Sequence, residues 1–182
     1  MTRETSQLSD NAQVFVSYGR GDAEQVLHIS RMLEDQGASV WRDGDRILGG
    51  QYYGEEIVHA IAHSRVVLLM CSPHSLQSDN VHREVLLTWD YYHRRYIPVW
   101  LTPITEIPDR FRYCLAGCQW IDTHAQPPEI WLPQLLKALK AAGVETRDLA
   151  PRSGEAIPVL TPLPTPTPLH DLLGLGRPER AG

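Results

Sequence analysis

No stretch of this 182-residue chain stays apolar for long. None approaches the ~18–20 consecutive residues that cross a bilayer as a helix, so nothing reads as a membrane span. The amino end, Met1 to Asn11, is polar and lacks the apolar core of a secretory signal. Cysteine is scarce. Cys71, Cys114 and Cys118 cannot make a disulfide framework and one must stay unpaired, which fits a reducing, cytoplasmic setting. Positive charge is not in excess: the formal net charge is −5, and His93-Arg94-Arg95 is a short cluster that reads as a solvated helix end. The broad basic footprint of a nucleic-acid binder is missing. With 42% hydrophobic and 21% charged residues, the chain can bury one ordinary globular core.

Apolar and polar residues alternate in a way that places strands and helices in turn. Gln13 to Ser17 reads as a short buried strand. Asp22 then looks like a helix cap, with Gln25 three residues on as its capping-box partner; Val26, Ile29, Met32 and Leu33 follow at helical spacing, and Gly37 stops the run. Ala38 to Trp41 reads as a second strand, with Trp41 in the core or at its edge, and a Gly- and Asp-rich loop follows. A helix over about 53–63 has Ile57, Ala60 and Ile61 on its apolar face. Val66 to Cys71 is a third strand, and a helix from Asn80, its expected N-cap, to Tyr92 would bury Val81, Val85, Leu86 and Trp89. Tyr96 to Leu101 is a fourth strand, then comes a Pro-broken irregular stretch, a short strand at Cys118 to Ile121, and a closing helix from Ile130 to Ala142. Alternation of this kind predicts an α/β fold with a parallel sheet, helices on both faces and right-handed crossovers.

After Gly143 the character changes. Half of the chain's 14 prolines lie in the final stretch, including Pro162-Leu163-Pro164-Thr165-Pro166-Thr167-Pro168, and apolar periodicity is lost. Residues 12–142 are therefore expected to fold as a domain. Residues 143–182 read as a Pro-rich linker or disordered tail, either joining a further domain or simply ending the chain.

The richest signal for chemistry is the third strand and its exit. Val66-Val67-Leu68-Leu69-Met70 is a β-branched and aliphatic run of the sort buried on both faces, and it runs into Cys71-Ser72-Pro73-His74-Ser75. Small hydroxyl residues at such a strand's carboxyl end sit where parallel sheets open a ligand crevice, and Glu84 follows on the next helix. A dinucleotide-binding glycine fingerprint is incomplete, since Gly19-Arg20-Gly21 is followed by Glu24 where the third glycine belongs. A phospho-accepting receiver domain would need Asp at the ends of the first and third strands, where this chain has Ser17-Tyr18 and Cys71-Ser72. Gly19-Arg20-Gly21-Asp22 is likewise a poor flavodoxin phosphate loop.

From about Ala12 to Ala142 the chain resembles a Toll/interleukin-1 receptor (TIR) domain, closest in flavour to bacterial and plant members. The matching pieces are ordered: Val14-Phe15-Val16-Ser17-Tyr18 with Asp22; Leu33-Glu34 to Gly37; Val40-Trp41-Arg42-Asp43 with Gly49-Gly50; Ile57, Ala60-Ile61 and Ser64; then Ser72, Ser75, Ser78, Glu84 and Ile97-Pro98-Val99. The resemblance implies a flavodoxin-like open parallel five-stranded sheet of order 2-1-3-4-5 with helices on both faces. It also implies an activity, because many TIR domains cleave NAD+ at its nicotinamide–ribose bond. Nicotinamide leaves that bond neutral and needs no general acid, while the oxocarbenium-like ribose needs a nearby negative charge.

By motif position Glu84 matches the family's catalytic glutamate; the plainer reading is a solvent-facing glutamate in a first helical turn. Tyr18, Gly19, Arg20, Asp43, Ser72 and Ser75 fall where substrate would bind, Arg20 being suited to a pyrophosphate or else an exposed loop arginine. Asp45, Arg46, Ile47, Leu48, Gly49 and Gly50 fall in the BB loop, which in resembling enzymes gates the site and packs on a neighbouring copy. The expected function is thus an NAD+ glycohydrolase activated by self-assembly, in prokaryotic antiviral defence. NAD+ would be its substrate with no cofactor, and a sensor domain or partner protein would lie beyond the Pro-rich stretch. The alternative is a non-catalytic TIR adaptor or scaffold, and a nucleotide-binding module of another family is a third reading. One departure bears on the choice: where the family often carries Trp four residues before the glutamate, this chain has Asn80. His59 and His63 lack the order of a metalloprotease motif, Cys114 and Cys118 lack a second pair for zinc, and Ser72 and Ser75 lack a His–Asp arrangement for hydrolysis.

Overall fold

Val66–Cys71 is six apolar residues in a row because every one of them is buried. In the computed structural model, which describes residues 13–42, 53–91 and 95–147, this strand is the middle of the sheet. Among the described residues five strands pair, all in parallel: β1 (Val14–Ser17), β2 (Val40–Arg42), β3 (Val66–Cys71), β4 (Arg95–Trp100) and β5 (Ile121–Asp122), in the order β2-β1-β3-β4-β5. The expected order 2-1-3-4-5 is therefore the observed one. The helices are α1 (Ala23–Asp35), α2 (Tyr53–His63), α3 (Pro73–Gln77), α4 (Asp79–Leu86), α5 (Asp109–Leu115) and α6 (Pro128–Ala141).

Successive strand residues point to opposite faces, and the two faces have different helices. Val14, Val16, Val66, Leu68 and Met70 pack on Val26, Ile29 and Leu33 of α1 and on Trp131, Leu135 and Leu139 of α6. Phe15, Val67, Leu69 and Cys71 pack on Ala60 and Ile61 of α2, Leu76 of α3, Val81 and Val85 of α4, and Phe111 of α5. Trp41 stacks on Phe15 with ring centroids 4.8 Å apart, so it closes the core edge. The packing runs past Ala142: Gly143, at φ +84°, turns the chain out of α6, Val144 is buried, and the Arg147 amide donates to the Gln36 carbonyl at 2.7 Å.

Several boundaries differ from expectation. The helix expected from Asn80 to Tyr92 is built in two pieces, α4 and a π-helical turn over Leu87–Tyr91, and a short helix that was not expected, α3, precedes them. Two serines start these helices, Ser72 capping α3 and Ser78 capping α4. Asn80 is therefore not the cap; it lies inside α4, where its Oδ1 accepts from Arg83. Trp89, expected in the core, is 46% exposed because the wider π turn carries it outward, leaving an edge contact with Tyr96. The Pro-broken stretch after β4 holds a helix, α5, and the last strand is Ile121–Asp122 rather than Cys118 to Ile121.

The connection after β1 passes close to the start of α3. A Cβ on Gly19 would lie 2.6 Å from the Ser75 amide nitrogen and 2.7 Å from the His74 carbonyl carbon, both backbone atoms that cannot swing away. Gly19→Ala is accordingly expected to destabilise by about 1–3 kcal/mol, the range for overpacking. Gly54→Ala, where a Cβ meets nothing within 4 Å, should leave stability unchanged or raise it slightly. Urea midpoints of the two variants against wild type make the comparison.

Candidate active site

β1 and β3 lie side by side with Ser17 paired to Leu69, so the residues leaving both strands emerge at one end of the sheet. Ser17 is two residues beyond Phe15 and shares its face, the one covered by α4. There its hydroxyl donates to Glu84 Oε2 at 2.5 Å. Asp22, at the end of a 3₁₀ turn (Arg20–Asp22), makes no capping bond to α1. Its Oδ2 instead accepts the Ser72 hydroxyl at 2.5 Å, and Gln25 donates to the Leu101 carbonyl at 3.4 Å rather than completing a capping box. Each buried carboxylate is thus met by a serine from the neighbouring strand end. Glu84 and Asp22 are only 4% and 7% exposed, which rules out the solvent-facing reading of Glu84.

Ser72 and Ser75 are both fully buried and form a reciprocal capping box on α3. The Ser72 hydroxyl accepts from the His74 and Ser75 amides at 3.0 and 3.1 Å, and Ser75 Oγ accepts from the Ser72 amide at 2.8 Å. Both hydroxyls are committed within the protein, and what they do for the site is hold α3 and Asp22 in place. Of the other expected substrate contacts, Tyr18 is half-buried against the core and Arg20 is exposed at the start of the 3₁₀ turn. Asp43 and the BB-loop residues Asp45, Arg46, Ile47, Leu48, Gly49 and Gly50 lie outside the described residues.

Glu84 lines a pocket of about 290 Å³ with Gly54, Ile57, Val58, Asn80, Arg83 and Leu87. Two of its walls are the aliphatic face of α2 and the first residue of the π turn, so Glu84 stands at a largely apolar recess. Arg83 was not foreseen as a site residue. Its signal was only its place beside Glu84, and the α2 side of the pocket had no sequence signal beyond helical periodicity. A second, larger cleft of about 720 Å³ opens on the α1 side, lined by Asp22, Gln25, His28, His74 and Thr102 among others.

Other chemistries find little support. Among the described residues no group of three His, Cys, Asp or Glu is placed to hold a metal ion. His59 and His63 stack at 3.9 Å, and His63 Nδ1 donates to the His59 carbonyl. Burial pushes the Cys71 thiol well above its ordinary range, so it stays protonated and is no nucleophile at neutral pH. Burial and then the nearby Asp90 push Cys114 up as well.

A family model for the TIR domain matches residues 14–139. The chain belongs to the TIR-domain family. No curated protein matches it. Solved structures do. The TIR domain of the Toll-related receptor TRR-2 from Hydra magnipapillata is 19% identical, with a TM-score of 0.61, and the match covers 71% of this chain and 99% of that one. The TIR domains of the activated Roq1 resistosome, which recognises the pathogen effector XopQ, are 16% identical with a TM-score of 0.55, covering 71% and 99%. A TIR-STING receptor from C. gigas, solved with 2',3'-cGAMP, is 22% identical with a TM-score of 0.56, covering 72% of this chain and 40% of that one. At these identities the likeness is one of fold. No helix among the described residues is long and apolar enough to cross a membrane.

The paired hydroxyls make a stability prediction for this TIR domain. Ser72→Ala removes the α3 cap and leaves Asp22 buried without its donor, so a loss of about 2–4 kcal/mol is expected. Ser75→Ala breaks only one side of the capping box and should cost about 1 kcal/mol. Chemical denaturation of both variants measures the difference.

Proposed function

We propose that this TIR domain cleaves NAD+ at the nicotinamide–ribose bond, releasing nicotinamide with ADP-ribose or a cyclic isomer. The observation that carries the reading is Glu84, a buried carboxylate that lines an apolar pocket at the sheet's carboxyl end. Family resemblance gives that position the catalytic role, and the chemistry needs one negative charge and no acid. As the C1′–N bond breaks, its electron pair goes to the pyridinium and nicotinamide leaves uncharged. The ribose carbon becomes positive, and a fixed carboxylate in a low-dielectric recess stabilises that charge more than water would. In hydrolysis, water adds its oxygen to C1′ and gives one proton to solvent, so NAD+ and water become nicotinamide, ADP-ribose and H⁺. The aliphatic walls offered by Ile57, Val58 and Leu87 suit the flat, weakly polar nicotinamide.

At about 290 Å³ the pocket sits at the lower edge of the ~300–1,000 Å³ typical of ligand sites, which is small for a whole dinucleotide. The remainder of NAD+ would then lie against the BB loop of this copy or a neighbour, which makes assembly the switch. NAD+ is substrate and no cofactor is required. The wider setting that fits is a cytoplasmic effector of prokaryotic antiviral defence, coupled through the Pro-rich stretch to a sensor domain or partner protein.

A second reading has its own observation. Asn80 lines the pocket where resembling enzymes often place Trp, and no aromatic side chain is among its described lining residues. A non-catalytic TIR adaptor, acting through TIR–TIR association, would have no need of that wall.

Nicotinamide release from NAD+ separates the two, with assembly followed in parallel by light scattering. Glu84→Gln keeps the size of the side chain and its acceptor oxygen but removes the charge. Release should fall by about 100-fold or more. No release from wild type that is demonstrably assembled would leave the adaptor reading, while release unaffected by the substitution would refute the role of Glu84.

A further inference from the structure

We propose that Ser17 is the positioning residue of Glu84, holding its carboxylate ionised and fixing Oε2 beside the pocket that Glu84 lines. The proposal rests on the NAD-cleaving reading of that pocket. Ser17 is the last residue of β1 and fully buried, so its hydroxyl has no water to compete for it. Strand alternation aims it at α4, and it donates to Glu84 Oε2 at 2.5 Å across 67 residues of sequence. An oxygen–oxygen distance this short is in the range of hydrogen bonds to ionised acceptors.

The direction of the effect follows from the surroundings. Burial penalises the charged form of a carboxylate, and a donated hydrogen bond restores it. A protonated Glu84 could not stabilise a positive ribose. From α2 the pocket presents Gly54, Ile57 and Val58, none of them charged, and the charged residue beside Glu84 among the described lining residues is Arg83 on its own helix. The Thr88 hydroxyl goes to the backbone carbonyl of Glu84 at 2.7 Å. Orientation follows too, because Ser17 stands on the strand next to the sheet's middle, while Glu84 stands on a helix of eight residues that ends in a π turn. The strand is the fixed point, and the hydrogen bond transfers its rigidity to the carboxylate.

Ser17→Ala deletes the donor at little cost in volume, and Ser17→Thr restores the hydroxyl. If the added methyl prevents folding, Ser17→Cys takes its place with an intermediate effect. Folding is checked by urea midpoint. The Glu84 carboxyl is titrated by carbon NMR on protein labelled at glutamate Cδ, its signal identified by its loss in Glu84→Gln. In Ser17→Ala the midpoint should move to higher pH by about one unit, as expected for one charge-assisted hydrogen bond. The acid limb of the rate profile should move with it. The kcat for nicotinamide release should fall about 10- to 100-fold with KM little changed, and Ser17→Thr should recover both. An unmoved midpoint overturns the proposal whatever the activity. A moved midpoint with unchanged kcat also overturns it, leaving the bond as scaffold. If wild type releases no nicotinamide, the functional reading fails by itself, and the titration still decides whether Ser17 governs Glu84.

Discussion

A carboxylate taken out of water costs several kcal/mol unless something donates to it, and this fold buries two within a few residues of the same sheet end. The solution is a crossed pair of bonds. Ser17 on β1 serves the acid that follows β3, and Ser72 after β3 serves the acid that follows β1. The connections leaving the two strands are thereby tied to each other in both directions. That tie requires the backbones to come nearly into contact, which is why Gly19 has no side chain: the space belongs to His74 and Ser75. The start of α3 and the placement of Asp22 and Glu84 hang on this junction.

The junction also divides the carboxyl end of the sheet. On the α1 side a broad, open cleft has the buried Asp22 in its lining, with histidines and polar groups around it. On the other side a smaller recess puts Glu84 against aliphatic walls. A charge is most effective at stabilising a developing opposite charge where water is excluded, so the smaller space is the better place for the proposed reaction. The Cys71 thiol, which ends β3 nearby, is kept protonated by its burial and plays no part.

Much of this was legible in the sequence. The continuous run of β3 and the helical spacing in α1 and α2 place those elements, and the family resemblance carried by the ordered motifs around Ser17, Ser72 and Glu84 implies the right sheet order. What was hidden were choices decided by tertiary contacts. Asp22 looked like a cap because Asp commonly is one, and nothing local announced that Ser72, fifty residues on, would claim its side chain. Asn80 is a good cap by residue type, but Ser78 two residues earlier caps α4 instead, and Ser72 starts a separate short helix ahead of it. Trp89 falls on the apolar face by a 3.6-residue count, but the π turn changes the count. The partnership of Ser17 with Glu84 was readable only in retrospect, from strand alternation plus the face that α4 covers.

The sheet's margins have a consequence for association. β2 is three residues long at one edge and β5 two at the other. β5 covers only Val99 and Trp100 of β4, and just before them stands Pro98, which has no amide hydrogen to offer an incoming strand. Short, interrupted margins of this sort discourage sheet-to-sheet polymerisation. Extension of this sheet from one copy into the next is therefore disfavoured, and the broad helix faces are the surfaces left for contact between copies.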